Sequence, residues 1–324
     1  MSTIIDFLKR LFSKKKKKVH PESATTTLSS FEPSLSELFK WEGRTNDQYH
    51  WWPMRETKPG EEDIYNNLYA TGGGLSKYGT LFSAKTIEYQ KAHYFRSHNS
   101  TKSDANWAGF CDSAAMLSCL WEYPKHKVIV TYNDKTEIFT PKDIEALMIV
   151  ASHNTINRGR SVLYGERYDG YVLEDSGEPY PTDLLSMLKK VCRDEIPFVF
   201  DVEHREAVWN YSYNSVIINT SNNIPPQFKR KLYGIPTSGL TVYYNFIIKS
   251  DAYQKKNLDF WGWRNENGGT FTEGWLSHKH PDFVWKKYPY KGPWKGSCRI
   301  NPEISAGHVY DIYKKSLVGG HVSY

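Results

Sequence analysis

The hydrophobic pattern of this chain changes its period near residue 196, and this change limits the fold more than any other feature. Before that point, apolar residues recur at helical spacing in residues 141–151 and 181–192. After it, residues 196–200, 207–219 and 240–248 are rich in Val, Ile, Tyr and Phe, which is typical of strands. Helices followed by strands predict an α+β domain, with helices in the N-terminal half and then a mainly antiparallel sheet.

Local signals support several of these elements. Thr140, Pro141 and Asp143 predict a helix N-cap, a proline at the first helical position and an acidic first turn. The pair Gly268-Gly269 divides residues 261–275 into two halves, which predicts a hairpin. Three large aromatic residues are expected to pack in the core: Trp209, Trp275 and Trp285.

The positive charge of the chain lies at its N-terminus. The net charge is +6, and residues 1–18 hold seven basic residues against Asp6, so the remainder is neutral. A nucleic-acid binder normally has its basic stripe on the folded body, so nucleic acid is not an expected partner. Apolar residues of this segment share one helical face and precede five lysines. Two interpretations stay open: a solvated terminus or an amphipathic anchor on an anionic membrane surface.

Residues 19–36 are rich in Ser, Thr and Pro, which is typical of a linker. We therefore expect a basic amphipathic tail and linker over residues 1–36 and one folded domain over residues 37–324. No apolar run is long enough to predict a membrane-spanning helix. The basic residues follow the apolar ones, which is not the order of a signal peptide. The location stays open between the cytoplasm, a membrane surface and unconventional export.

Four cysteines are spread along the chain, without the spacing of a disulfide scaffold or a zinc site. We therefore expect no intrinsic metal and no cofactor, while one or two disulfides stay open. Cys111 follows Gly109 and begins a helix-like stretch that ends at Trp121. A helix N-terminus lowers a thiol pKa and offers N–H groups to an oxyanion, which makes Cys111 the strongest candidate nucleophile. The alternative is a small buried residue without chemistry.

A nucleophilic cysteine needs a base, usually histidine, and a residue that orients the base. Asp201 ends a predicted strand and is a candidate acid. His204 lies three residues further on, which would place it on the opposite face of an extended strand. His280 lies just beyond a predicted strand, where a rigid loop could present it. Five downstream histidines are candidates for the base: His153, His204, His278, His280 and His308.

Four blocks of the sequence, taken together, resemble the transglutaminase elicitor family of oomycete plant pathogens and some marine bacteria. They follow the order of that family and span roughly residues 60–290. The blocks are residues 68–74 (LYATGGG), 107–111 (WAGFC) with 130–133 and 143–147, 197–201 (PFVFD) with 208–210 (VWN), and 273–275 (EGW) with 280–285 (HPDFVW).

The resemblance implies a protein-glutamine γ-glutamyltransferase, with a papain-like or transglutaminase-like core as one possible architecture. Cys111 would attack a glutamine side-chain amide, release ammonia and form a thioester, which a lysine or another amine then converts to an isopeptide bond. The implied partners are therefore protein substrates. The matched blocks assign Cys111 as nucleophile and Asp201 and His280 as its partners, with His204 still open as the base.

Two positions depart from the family pattern. A histidine commonly follows the proline that corresponds to Pro181, whereas Leu185 stands near that position here. The dipeptide after Asn210 is Tyr-Ser where the family has Gln-Pro. Two alternatives therefore stay open: a thiol deamidase or peptidase of the same fold, in which water replaces the amine, and a catalytically inactive binding module. Calcium dependence is open as well.

Overall fold

The structure, a computed structural model, describes residues 35–43, 45, 49–57, 66–95, 108–153, 163–165, 179–195, 197–201, 209–229, 235–250, 257–281, 283–285 and 293–324. The basic segment 1–18, most of its linker and His204 lie outside these residues. Within the described residues, no helix combines the length and the apolar character needed to cross a bilayer.

Six helices occur in the described residues: α1 (Gly74–Leu81), α2 (Thr86–Tyr94), α3 (Cys111–Leu120), α4 (Pro141–Ser152), α5 (Pro181–Arg193) and α6 (Ala306–Ser316). The strands are β1 (Ser36–Glu42), β2 (Val128–Tyr132), β3 (Lys135–Phe139), β4 (Leu163–Gly165), β5 (Phe198–Asp201), β6 (Asn210–Tyr213), β7 (Ser215–Ser221), β8 (Leu240–Lys249), β9 (Leu258–Asn267), β10 (Thr270–Trp275), β11 (Phe283–Trp285) and β12 (Gly320–Ser323).

These strands form three sheets. The largest has the order β1-β7-β8-β9-β10 and is antiparallel throughout. A second has the order β4-β11-β5-β6 and is also antiparallel. The third, β12-β2-β3, contains one parallel pair, β12 with β2. The predicted α+β class with mainly antiparallel sheets is therefore confirmed.

Two local predictions are also confirmed. At the start of α4, the Thr140 hydroxyl accepts a hydrogen bond from the Asp143 N–H, and the Asp143 carboxylate accepts one from the Thr140 N–H. This capping box pairs two backbone donors that the helix itself leaves unpaired. The hairpin of β9 and β10 turns at Gly268 and Gly269, whose φ angles of 57° and 82° suit a type I′ turn.

The predicted order of helices before strands is wrong in detail. Strands β1, β2 and β3 lie in the N-terminal half, and α6 follows nearly all of the strands. The reason is distant pairing: Ser36 of β1 lies opposite Thr220 of β7, and Gly320 of β12 lies opposite Val128 of β2. The predicted strand over residues 207–219 is also divided, because Asn214 separates β6 from β7.

The described residues form two main hydrophobic clusters, and helix α3 belongs to the first of them. The helical cluster contains α1, α3, α4, α6 and the β2–β3 hairpin, with Leu117 and Leu147 fully buried. The sheet cluster lies between α5 and the large sheet and includes Leu184 and Phe246. One face of α3 packs on β5, where Met116 and Val199 belong to one small buried cluster. Helix α3 thereby joins the helical cluster to the sheet that contains β5.

Candidate active site

Helix α3 begins at Cys111, as predicted, because the residues just before it are paired with a distant segment. The Phe110 N–H donates to the Trp52 carbonyl, and the Met54 N–H donates to the Ala108 carbonyl, each at 3.0 Å. These two bonds form a short antiparallel bridge. The bridge fixes the position of the Cys111 backbone before the first helical turn.

Gly109 allows this bridge to form against a large aromatic ring. A Cβ atom at this position would lie 1.9 Å from Trp51 Nε1 and 2.8 Å from the Trp52 carbonyl oxygen. Real Cβ contacts lie well beyond both distances, so no other residue fits without displacing its neighbours. Trp51 therefore packs directly over the turn that leads into Cys111.

Cys111 borders a cavity of about 50 Å³ between α3 and β6. The rings of Trp51 and Trp209, with centroids 5.5 Å apart, contribute one wall. Trp209 is thus a half-buried wall residue, whereas the sequence predicted core packing. The other described residues around the cavity, none of them histidine, are Tyr49, Ala114, Ala115, Ser118, Asn210, Tyr211 and Ser212. This space holds a few waters but not a glutamine side chain.

Asn210 donates hydrogen bonds to the thiol and is a site residue that the sequence analysis missed. Its side-chain Nδ2 lies 3.6 Å from Cys111 Sγ, and its backbone also hydrogen-bonds the sulfur. Asn210 is the first residue of β6, which packs on α3. The signal was present in the sequence, since Asn210 belongs to one of the blocks that resemble the family.

The surroundings of Cys111, which is partly buried at the edge of the cavity, favour the protonated thiol. Burial is the largest influence and raises the pKa of the Cys111 thiol to about 12. The Asp112 carboxylate raises this pKa further, the two Asn210 hydrogen bonds lower it, and Asp201 has a smaller raising effect. The sequence predicted that the helix N-terminus lowers this pKa, whereas burial raises it in the structure. A thiolate here requires a base.

Asp201 lies beside Asn210 and close enough to Cys111 for its charge to act on the thiol. It ends β5 and is fully buried, and its Oδ1 accepts a hydrogen bond from the Trp209 N–H at 2.9 Å. In the sheet it pairs with Asn210 on one side and with Phe283 on the other. The structure therefore brings together two of the three predicted catalytic residues, Cys111 and Asp201.

His280 is buried and precedes strand β11, which pairs with the strand that holds Asp201. Its ring stacks on Trp275 with centroids 4.8 Å apart, and its Nδ1 lies 3.1 Å from the Ser277 carbonyl oxygen. A carbonyl only accepts, so this bond requires the proton on Nδ1 and leaves Nε2 as the basic nitrogen. Three residues later, Phe283 pairs with Asp201. The role of His280 as base stays a prediction.

A partly buried ion pair adjoins the nucleophile, and the sequence analysis did not predict it. His153 Nδ1 lies 2.9 Å from Asp112 Oδ2 and 3.1 Å from Oδ1. Burial by itself lowers the pKa of His153 and raises that of Asp112, but the pair has the stronger effect in both. The pKa of His153 is therefore raised and that of Asp112 is lowered, so the pair favours the charged form of both side chains.

The family departure at Leu185 lies away from the cavity. Leu185 is in α5, where it is half-buried against the sheet cluster. It is not among the described residues around the cavity. Trp275 also packs against the sheet cluster, as predicted, while the side chain of Trp285 is outside the described part. All four cysteines are free thiols.

Comparison of the chain with protein-family models gave no match, and comparisons with curated proteins and with solved structures gave none either. The geometry around Cys111 is therefore the basis for assigning a function.

Proposed function

We propose that this protein is a cysteine-dependent acyltransferase that joins glutamine side chains to lysine or other amines. One observation carries the proposal: Cys111 begins a helix at the edge of a cavity, and Asn210 donates hydrogen bonds to its sulfur. Buried cysteines that only fill space have no need of such donors. The four matched sequence blocks support glutamine as the acyl donor.

The reaction has two steps through one thioester. In the first, sulfur attacks the carboxamide carbon, the C–N bond breaks, and ammonia leaves with the proton that the thiol gave up. In the second, an amine nitrogen attacks the thioester carbon, the C–S bond breaks, and the proton of the amine returns to sulfur. The products are an isopeptide bond, ammonia and the regenerated thiol.

A thiol with a pKa of about 12 cannot wait as a thiolate, so its proton has to move during the attack. We assign this proton transfer to Nε2 of His280, whose ring is oriented by the bond from Nδ1–H to the Ser277 carbonyl, with Asp201 as the buried carboxylate whose charge favours the protonated base. The first N–H groups of α3 and the side-chain amide of Asn210 are the donors available to the developing oxyanion. Hydrogen bonds of this type contribute most when the site excludes water.

Substrate entry requires a wall of the cavity to move, since about 50 Å³ is too small for a carboxamide side chain. The candidates are the half-buried rings of Trp51 and Trp209. When the two indole rings have moved apart, their apolar faces can pack against the aliphatic part of a glutamine side chain. The same movement admits water to the sulfur and lowers the thiol pKa towards its ordinary value.

A second function is a binding module that keeps the fold without the chemistry. It is favoured by the protonated thiol and by the lack of a histidine among the described residues around the cavity. A deamidase or peptidase is chemically closer to the transferase, because water then replaces the amine in the second step. The three functions differ in their products and can be separated in one assay.

The assay incubates the full chain with a glutamine-rich donor protein and a labelled primary amine, at several calcium and thiol-reductant concentrations. The transferase incorporates label, and Cys111→Ala abolishes this. Cys119→Ala is the matched control, because Cys119 lies in the same helix and outside the cavity residues. Ammonia release without incorporation indicates a deamidase. Neither product from the wild-type protein refutes both enzymatic proposals and favours the binding module.

The basic segment 1–18 supports a separate proposal, attachment to an anionic membrane surface. The test is co-sedimentation with vesicles that contain phosphatidylserine, compared with neutral phosphatidylcholine vesicles. Replacement of the five lysines at positions 14–18 by glutamine is expected to abolish sedimentation with the anionic vesicles. Equal recovery of both variants with both vesicles would show a solvated terminus instead.

A further inference from the structure

Asp112 places a carboxylate beside the nucleophile, where its charge opposes ionisation of the thiol. It is the residue after Cys111 and lies in the first turn of α3. Its side chain is only 15% exposed, so water screens its charge weakly. Burial raises the pKa of Cys111 most, and the Asp112 carboxylate is the second largest influence that raises it. An uncompensated charge here would therefore suppress the reactive thiolate.

His153 supplies the compensating charge from another helix. It follows α4 directly, where the helix dipole also favours a cation, and its ring nitrogen is 2.9 Å from the Asp112 carboxylate. Among the residues that the structure describes, two aromatic rings also face the imidazole: Phe110 at 5.1 Å and Tyr94 at 6.5 Å. The Asp112 carboxylate is also held by the N–H of Ser113. The pair thus joins the end of α4 to the start of α3.

We propose that His153 is a positioning residue for Cys111: it holds the Asp112 carboxylate in an ion pair, fixes the start of α3, and neutralises the negative charge beside the sulfur. His153 then acts through Asp112 and does not touch the reacting atoms. The inference rests on Cys111 being the reacting group. It does not depend on whether the acyl acceptor is an amine or water.

An electrostatic role of His153 and a merely structural role predict different directions of change in the reactivity of the Cys111 thiol. Loss of His153 leaves the Asp112 charge uncompensated, which disfavours the thiolate of Cys111. Loss of the Asp112 charge removes the opposing group, which favours the thiolate. Both substitutions break the same ion pair and destabilise the fold. A structural role alone would therefore change thiol reactivity in the same direction for both.

The experiment measures alkylation of Cys111 by iodoacetamide in the full chain, with mass spectrometry of the Cys111 peptide, from about pH 6 to about pH 10. One unit of thiol pKa corresponds to a tenfold change in thiolate, so we expect about tenfold slower alkylation for His153→Gln at about pH 8. For Asp112→Asn we expect about tenfold faster alkylation under the same conditions.

Lys77→Met is the matched control. It breaks the ion pair of Lys77 with Asp143, which has a similar burial, 19% and 10% exposed, at the other end of α4. We expect no change in alkylation of Cys111. If the Asp112 variant does not fold, the double variant Asp112→Asn/His153→Gln removes both charges and is expected to react at least as fast as the wild type.

The proposal is overturned if His153→Gln and Asp112→Asn change the rate in the same direction, or if Lys77→Met matches either of them. A double variant as slow as His153→Gln would overturn it as well. Alkylation reads the thiol directly, so these results remain interpretable when no γ-glutamyl transfer is found. Failure of the transfer assay alone refutes the proposed function and leaves this inference standing.

Discussion

Substitution of Gly109 by alanine tests whether the turn before Cys111 is set by close packing. The new Cβ would lie 1.9 Å from Trp51 Nε1 and 2.8 Å from the Trp52 carbonyl oxygen. The indole has to retreat by about 1.5 Å to reach an ordinary contact distance. The carbonyl cannot retreat freely, because it accepts the Phe110 N–H at 3.0 Å. Gly109→Ala therefore strains the bridge that positions the nucleophile.

The expected loss of stability follows from these contacts. Overpacking of a buried site costs about 1–3 kcal/mol. A weakened backbone hydrogen bond adds about 1 kcal/mol, and the bond from Phe110 to Trp52 is the one directly affected. We therefore expect Gly109→Ala to lower the free energy of unfolding by about 2–4 kcal/mol.

Urea unfolding monitored by circular dichroism measures this loss, with Gly79→Ala as the control. Gly79 lies inside α1, and a Cβ there would be 3.7 Å from Thr86 Cβ, an ordinary contact. Alanine is a better helix former than glycine, so this control is expected to raise stability by about 0.5–1 kcal/mol. If Gly109→Ala unfolds within about 0.5 kcal/mol of the wild type, the packing argument is wrong.

Three further predictions concern the site and its support. Asn210→Ala removes one donor to the sulfur, so alkylation of the thiol at about pH 8 is expected to slow several-fold, and an unchanged rate would contradict the contact. The folded-state pKa of His153 is raised, so its stabilisation is complete below about pH 6.5 and is lost as pH rises through that folded pKa. The pKa of Asp112 is lowered, so its stabilisation is present above about pH 4 and is lost as pH falls through its folded pKa. His153→Gln is therefore expected to lower the unfolding free energy by about 3 kcal/mol, and this loss should be largest between about pH 4 and 6.5. A difference in urea unfolding that does not depend on pH would refute the ion pair. Glu145→Ala removes a fully buried carboxylate that accepts hydrogen bonds from the half-buried Tyr123 hydroxyl at 2.9 Å and from the His50 N–H at 2.7 Å. This substitution is expected to cost about 2–4 kcal/mol in the same assay, whereas a loss below about 1 kcal/mol would contradict it.

Elements made by neighbouring residues could be predicted from the sequence. The cap of α4, the Gly268-Gly269 hairpin and the helix that starts at Cys111 are of this kind. Strand β1 could not be predicted locally, because its partner residues in β7 lie more than 170 positions away, as for Ser36 and Thr220. Alternating burial along so short an exposed strand is too weak a signal by itself.

The candidate site also combines residues that the sequence predicted with contacts that it could not predict. Cys111 was found from its place before a helix, and Asp201 from the end of a strand and the resemblance. The ion pair of Asp112 and His153 was missed because 41 positions separate its members, and only the packing of α3 on α4 joins them. The thiol pKa was predicted in the wrong direction, since desolvation depends on tertiary packing that no local pattern contains.

Strands β6 and β7 form one extended run from Asn210 to Ser221, interrupted only at Asn214. Asn214 is itself held on both sides, since its N–H donates to the Lys249 carbonyl and its carbonyl accepts the N–H of Gly43. The chain that pairs with β1 and β8 as β7 is therefore continuous with the chain that supplies Asn210. The place of the amide that contacts the sulfur depends on the register of the large sheet as well as on the packing of α3.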